Sequence, residues 1–182
     1  MKKLTIVLAA VLMMAFGAQA QYVFDKGDVA VNAGLGVGGY DGLIPSVEAS
    51  VEIGVIPTGD VGLVSFGGAV GYKYSTYDYY YLGSYDYNYH QFQFGGRAAW
   101  HLHTFTSDKW DVYGGIGLGL RMYSVYDGWD FEKNEATNKA KAGLYEEVFV
   151  GGRMMLNPGF GLFAELGYSN LSNLRFGLTF GL

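Results

Sequence analysis

The sequence predicts an all-β fold: an eight-stranded antiparallel up-and-down β-barrel that spans a membrane. Three observations predict it. Apolar and small or polar residues alternate with period two in eight segments along the chain. No segment beyond the first twenty residues has the roughly 18–20 consecutive apolar residues that a spanning helix needs. The connections alternate between short turns and longer links, as in barrels whose two ends face different compartments. Composition points the same way, with 29 Gly, 16 Tyr, only 3 Pro, and half of the 182 residues hydrophobic.

The chain opens with "MKKLTIVLAAVLMMAFGAQA". Lys2 and Lys3 form a positive start, Leu4 to Phe16 an apolar run, and Ala18-Gln19-Ala20 a small-x-small cleavage site. Residues 1–20 therefore read as a cleaved export signal, and 21–182 as one barrel domain. No Cys follows the site, so the signal is not that of a lipoprotein.

Eight strands follow. In the first, Val29, Val31, Ala33, Leu35 and Val37 alternate with Asp28, Ala30, Asn32, Gly34 and Gly36. The second sets Val47, Ala49, Val51, Ile53 and Val55 against Glu48, Ser50, Glu52 and Gly54. The third sets Val64, Phe66, Val70, Tyr72 and Tyr74 against Ser65, Gly67, Ala69, Gly71 and Lys73. In the fourth, Phe92, Phe94, Ala98, Trp100 and Leu102 oppose Gln91, Gln93, Gly95, Arg97, Ala99 and His101. The fifth, "WDVYGGIGLGLRMY", places Gly115, Gly117 and Gly119 strictly between Ile116, Leu118 and Leu120. In the sixth, Leu144, Val148, Val150, Met154 and Leu156 oppose Tyr145, Glu147, Phe149, Gly151 and Arg153, with Glu146 breaking the apolar set. The seventh alternates Phe160, Leu162, Ala164, Leu166 and Tyr168 with Gly161, Phe163, Glu165, Gly167 and Ser169, and the eighth runs through "LRFGLTFGL".

Short turns are expected at 57–60, 104–109 and 157–159, and longer links at 38–46, 75–90 and 124–143, with a brief one at 169–173. A soluble barrel would also alternate, but with its apolar face inward. The composition of the polar face decides between them. Glycine, serine and alanine interleaved with single long charged residues suit a cramped closed interior, whereas a solvated surface sets no limit on side-chain size. The three glycines of the fifth strand then point into the lumen and make room for arginines and tyrosines of neighbouring strands.

After signal removal 10 basic and 17 acidic residues remain, a net charge of −7. That excludes a basic nucleic-acid surface. With no Cys, disulfides and thiolate metal sites are excluded as well.

The signal, the eight alternating segments and the terminal "LRFGLTFGL" resemble the small eight-stranded outer-membrane barrels of Gram-negative bacteria, the OmpX-like and OmpA-type families. The likeness covers the whole mature chain as a pattern. It implies residence in the outer membrane, both termini in the periplasm, contact with lipid and lipopolysaccharide, a monomer, and no cofactor. Members usually end their last strand in an aromatic residue; here Leu182 is last, with Phe180 and Phe176 on its face. No peptidoglycan-binding domain follows the barrel.

Candidate sites come from the two faces and the links. Glu48, Glu52, Glu147 and Glu165 share the inward face with Lys73, Arg97, Arg121, Arg153 and Arg175. Lone charges in so narrow a lumen are too costly, so a salt-bridged plug is expected, with Glu165 and Arg175 as one pair; the alternative is an ion-selective constriction. In the 75–90 link, Tyr77, Tyr79, Tyr80, Tyr81, Tyr85, Tyr87 and Tyr89 crowd beside Asp78 and Asp86. They read either as an exposed patch for a glycan or protein ligand, or as strand extensions carrying part of the aromatic girdle. Trp100 and Trp110 flank a short turn and belong to the interface belt on that side.

Three further patterns carry little. A G-x-G-x-x-G match at Gly34, Gly36 and Gly39 precedes a strand, not a helix. Asp127, Asp130, Glu132 and Glu135 lack the spacing of a calcium loop, and no metal site is expected. His90 with Ser75 or Ser84 is the only arrangement that could serve a lipid A-modifying reaction, and no motif fixes it, so no catalytic residue is assigned. The functional expectation is a non-enzymatic surface or structural protein; a narrow porin-like channel and a lipid A-modifying enzyme are the alternatives.

Overall fold

The structure, a computed structural model, describes residues 23–39, 42–80, 84–105, 109–130 and 135–181, with the backbone alone at 77–80, 84–87, 105, 126–130 and 135–138. The export signal lies outside the described residues. Eight strands follow in order: β1 (Val29–Val37), β2 (Ser46–Pro57), β3 (Gly62–Tyr80), β4 (Ser84–Leu102), β5 (Trp110–Asp130), β6 (Glu135–Asn157), β7 (Phe160–Ser169) and β8 (Leu174–Gly181). Each pairs antiparallel with the next, and β8 pairs with β1 to close the ring. Following strand partners once round returns to β1 displaced by about ten residues, which tilts eight strands by about 40° and leaves a lumen just wide enough for side chains.

The strands are polar inside and apolar outside. Asn32, Ser65, Lys73, Gln93, Arg97, Asp111, Arg153 and Glu165 are buried, while Leu35, Val51, Phe66, Val70, Phe94, Ile116, Leu118, Leu120, Val150, Leu166 and Phe176 are exposed. A belt of large apolar side chains facing outward all round the ring is stable against hydrocarbon and not against water, and closure satisfies every strand without an edge. Among the described residues, this outward face of the strands carries no Lys or Arg.

One outward residue breaks the belt. Glu146, the exception already visible in the alternation, is exposed opposite Leu118 and one step beyond the Val148–Tyr168 pair. A carboxylate within the belt, with Leu120, Met122 and Leu144 exposed beyond it, loses hydration without gaining a partner. Glu146→Leu is therefore expected to stabilise the refolded barrel by up to about 1 kcal/mol, measured by urea unfolding in lipid vesicles.

The fifth-strand glycines do leave room, for a tyrosine of the next strand as expected and for other groups besides. A Cβ at Gly117 would meet the Glu147 carboxylate at 2.7 Å and the Tyr145 hydroxyl at 3.3 Å. One at Gly115 would meet the Phe149 ring at 2.6 Å, and one at Gly119 the β4 backbone at Phe94 and Gly95. Two of the three thus serve close strand approach as much as side-chain packing, because the small barrel coils its strands tightly.

The two longest links are shorter than the sequence indicated. Backbone pairing in the β3–β4 hairpin continues through Tyr77 opposite Tyr87 and Tyr79 opposite Tyr85, and in the β5–β6 hairpin through Asp130 opposite Glu135. Tyrosine is a good strand former, which favours such extensions. Both hairpins rise past the ends of β1, β2, β7 and β8 at the side away from the chain termini.

Candidate functional site

The side chains that meet inside the ring form two charged layers. The layer nearer the chain termini is built on Arg153 of β6. Its cross-strand partner is Asp111 of β5, with Arg153 Nη1 at 3.0 Å from Asp111 Oδ2, while Nη2 lies against Glu52 of β2. His101 of β4 sits between the same two carboxylates, with Nδ1 2.9 Å from Asp111 and Nε2 3.4 Å from Glu52. The guanidinium also lies 4.5 Å from the centre of the Tyr113 ring and 5.2 Å from that of Phe24, flat partners for a delocalised cation.

This layer contains the sequence of contacts of a nucleophilic triad: Ser65 Oγ is 2.9 Å from His101 Nε2, and His101 Nδ1 is 2.9 Å from Asp111. The proton arrangement is the wrong one. Ser65 Oγ also donates to Glu52 Oε2 at 2.9 Å, so its single proton is directed at that carboxylate and not at His101. A nucleophile needs Nε2 to do the accepting. Phe24 covers the imidazole with ring centres 4.4 Å apart, so no substrate reaches it.

The second layer, nearer the long hairpins, has Glu165 of β7 at its centre. Its carboxylate accepts from Arg97 Nη2 at 3.0 Å and Tyr113 Oη at 3.0 Å, and pairs with Arg175 Nη2 at 2.9 Å. Glu147 pairs with Arg97 at 3.4 Å, contacts Arg175, and accepts a short bond from Tyr145. Glu48 faces Arg175 at 3.6 Å and accepts from Ser46 at 2.7 Å and Ser172 at 2.6 Å. Arg97 is stacked 3.9 Å over the Phe149 ring. Every carboxylate here has at least three partners, which is what keeping charges out of water demands. The cavity left among Asn32, Glu48, Ser50, Arg97, Glu165 and Arg175 measures about 10 Å³, room for about one water molecule.

Both ends of this column are covered. At the hairpin side, the turn between β7 and β8 folds inward and buries Leu171 completely. Ser169 Oγ accepts from the backbone of Leu171 and Ser172, and Asn173 Oδ1 accepts from Gly39 N at 2.7 Å. At the other side Phe24, 3% exposed, packs with Ala30 and Leu63, held by Gly27 N to Gly54 O at 2.9 Å and Gly54 N to Asp28 O at 3.0 Å.

Of the charged residues read from the sequence, Glu48, Glu52, Arg97, Glu147, Arg153, Glu165 and Arg175 meet in these layers. Lys73 instead donates to Gly38 O at 2.8 Å, and Arg121 lies 4.7 Å over Tyr123. Asp111 and His101 complete the inner layer; alternation put both on the inward face, and only the charge count passed them over. Phe24 and Leu171 lie outside any strand, and periodicity carries no signal for them. Trp110 is exposed, as is Trp100, which donates to Thr58 Oγ1 at 3.1 Å; both lie toward the end bearing the termini. Tyr89 bonds Gln91 at 3.4 Å. The side chains of Tyr77, Tyr79, Tyr80, Tyr85 and Tyr87, and the whole of Tyr81, lie outside the described residues, as does the side chain of Ser84. His90 and Ser75 are not brought together: His90 is outward and bonds Tyr72 at 2.9 Å, while Ser75 is buried in the lumen. They sit one pair apart in the register, so alternation sends them to opposite faces. Among the described residues no group of His, Asp and Glu is placed to hold a metal ion.

No family model matches the chain, and no curated protein matches it in sequence. Among solved structures, similar ones are Ail, the attachment invasion locus protein of Yersinia pestis, in complex with the heparin analogue sucrose octasulfate (13% identity, TM-score 0.47, 86% of this chain and 96% of that one), and the N-terminal β-barrel domain of Pseudomonas aeruginosa OprF (12% identity, TM-score 0.47, 86% and 98%). Identities this low concern the fold alone. The strand pairing and the outward apolar belt carry the conclusion themselves: the chain is an eight-stranded antiparallel β-barrel of the outer-membrane type.

Proposed function

We propose that this outer-membrane barrel is a non-enzymatic protein with a plugged lumen, which supports the envelope or adheres to a partner through its long hairpins. The observation that carries this reading is the continuous filling of the lumen, from Phe24 through two ion-paired layers to Leu171. A solute path would have to separate ion pairs in a low-dielectric tube, and the triad-like cluster lies under Phe24 with its serine proton directed at Glu52. What remains for function is the surface. The export signal 1–20 is removed on secretion through the periplasm, both termini stay there, and the β3–β4 and β5–β6 hairpins face outward.

The tyrosines of 77–89 supply large amphipathic contact area at low entropic cost, which suits a glycan or protein partner. Deleting Thr76–Tyr89 is expected to leave a closed barrel, seen as retained heat-modifiable gel mobility, and to abolish binding of whole cells to host cells, glycan arrays or neighbouring envelope proteins. Unchanged binding in a correctly folded deletion variant would remove the tyrosine hairpin from the account.

A further inference from the structure

Arg97, Arg153 and Arg175 each end on at least two carboxylates. The fourth lumen arginine, Arg121, ends on no carboxylate among the described residues. Its guanidinium rests on Tyr123, and its Nε is buried without a hydrogen-bond partner. The groups beside it share this state. Gln93, directly opposite Arg121 on β4, has a buried and unpartnered Oε1. Gln91 uses its Oε1 for Tyr89 but leaves Nε2 unpartnered, and Ser75 Oγ is unpartnered too. Gln91, Gln93 and Ser75 are no more than 2% exposed. Buried polar atoms without partners are rare enough that four along one stretch of the inner wall, from Arg121 out to Ser75, need a cause.

Charge supplies it. Lys141 and Lys139 stand opposite Tyr123 and Val125, so alternation puts both on the same inward face of β6, above Arg121; Lys73 is on that face of β3. Among the described residues no carboxylate shares the face between the levels of Arg121 and Lys139; further out the same alternation brings Glu135, opposite Asp130. A chain with a mature net charge of −7 thus places Arg121, Lys139 and Lys141 along one wall at the mouth of its lumen, beside a Lys73 already bonded to Gly38 O.

We propose that this mouth is a binding site for a small hydroxylated carboxylate, the chemistry of a sugar acid. The carboxylate accepts from Arg121 Nε and Gln91 Nε2, in the field of Lys139 and Lys141. One ligand hydroxyl donates to Gln93 Oε1 and a different one, further out, accepts from Ser75, while the mutually packed rings of Tyr89 and Tyr123, 6.5 Å apart, offer an apolar surface beside the sugar. Gln91 and Gln93 rotate to meet it, since their free atoms are enclosed in the unliganded barrel. The site goes beyond the adhesion reading and needs neither conduction nor the side chains of Tyr77–Tyr87.

The test is calorimetric titration of the refolded full-length barrel in detergent with D-glucuronate, with D-glucose as the uncharged isostere. Saturable glucuronate binding, with glucose at least about tenfold weaker, is expected. Arg121→Gln weakens glucuronate by about tenfold or more, and Gln93→Leu by a smaller factor. Lys141→Gln, at an exposed position that leaves folding intact, weakens it further as ionic strength falls. Equal binding of glucose, affinity unchanged in Arg121→Gln and Lys141→Gln, or no saturation by a barrel of verified heat-modifiable mobility would overturn the proposal.

Discussion

Arg175→Met is expected to lower the unfolding free energy of the barrel by about 3–5 kcal/mol, the usual cost of removing one member of a buried ion network. Arg175 faces Glu48, Glu147 and Glu165 at once. Without it, three carboxylates crowd around Arg97 alone, in a space that admits about one water. The loss comes from stranded charge rather than from lost attraction, so it is reversible by neutralisation. Arg175→Met combined with Glu147→Gln should recover a large part of the stability, because an uncharged amide replaces one stranded carboxylate. Equilibrium urea unfolding into and out of lipid vesicles measures both. If the single variant is as stable as the parent, the upper layer contributes nothing to holding the ring.

Arg153→Met should cost a similar amount for a related reason. Glu52 and Asp111 would then share only His101, and Phe24 would lose the cation against which its ring is packed. Here the rescue is Asp111→Asn, which keeps the hydrogen bond to His101 and removes the charge that Arg153 neutralised. Because the side-chain contact between the two layers runs through Tyr113, whose hydroxyl reaches Glu165 while its ring flanks Arg153, the Arg153 and Arg175 effects should be nearly additive. A coupling larger than about 1 kcal/mol would mean that the layers act as one network.

Much of this was legible in the chain before any coordinates, and the reason is geometric. A strand sends side chains to opposite faces with a period of two, so the face of Glu165, Arg175 or Arg97 follows from counting once a strand is placed. Partners are harder. Glu165 and Arg175 occupy adjacent strands, whereas Arg97 reaches Glu165 from the far wall, a contact that depends on the stagger of the whole ring. The caps were not legible at all. Leu171 looks like one residue in a brief polar turn, and Phe24 like a stray apolar residue before the first strand. Their burial arises from tertiary closure, to which local pattern is blind. The tyrosine-rich segment was legible in part: its polar, glycine-containing composition reads as a link, but the alternative reading of its tyrosines as strand extensions holds, since backbone pairing carries the sheet through most of it.

The central claim is that the lumen is filled and the protein works from its outside. The most direct test is the ion conductance of the refolded barrel in planar bilayers, after heat-modifiable mobility has verified closure. The account predicts silence, in the parent and in Arg97→Glu alike. Steady channels whose ion selectivity changes in Arg97→Glu would contradict it, and would make the charged layers the wall of a pore.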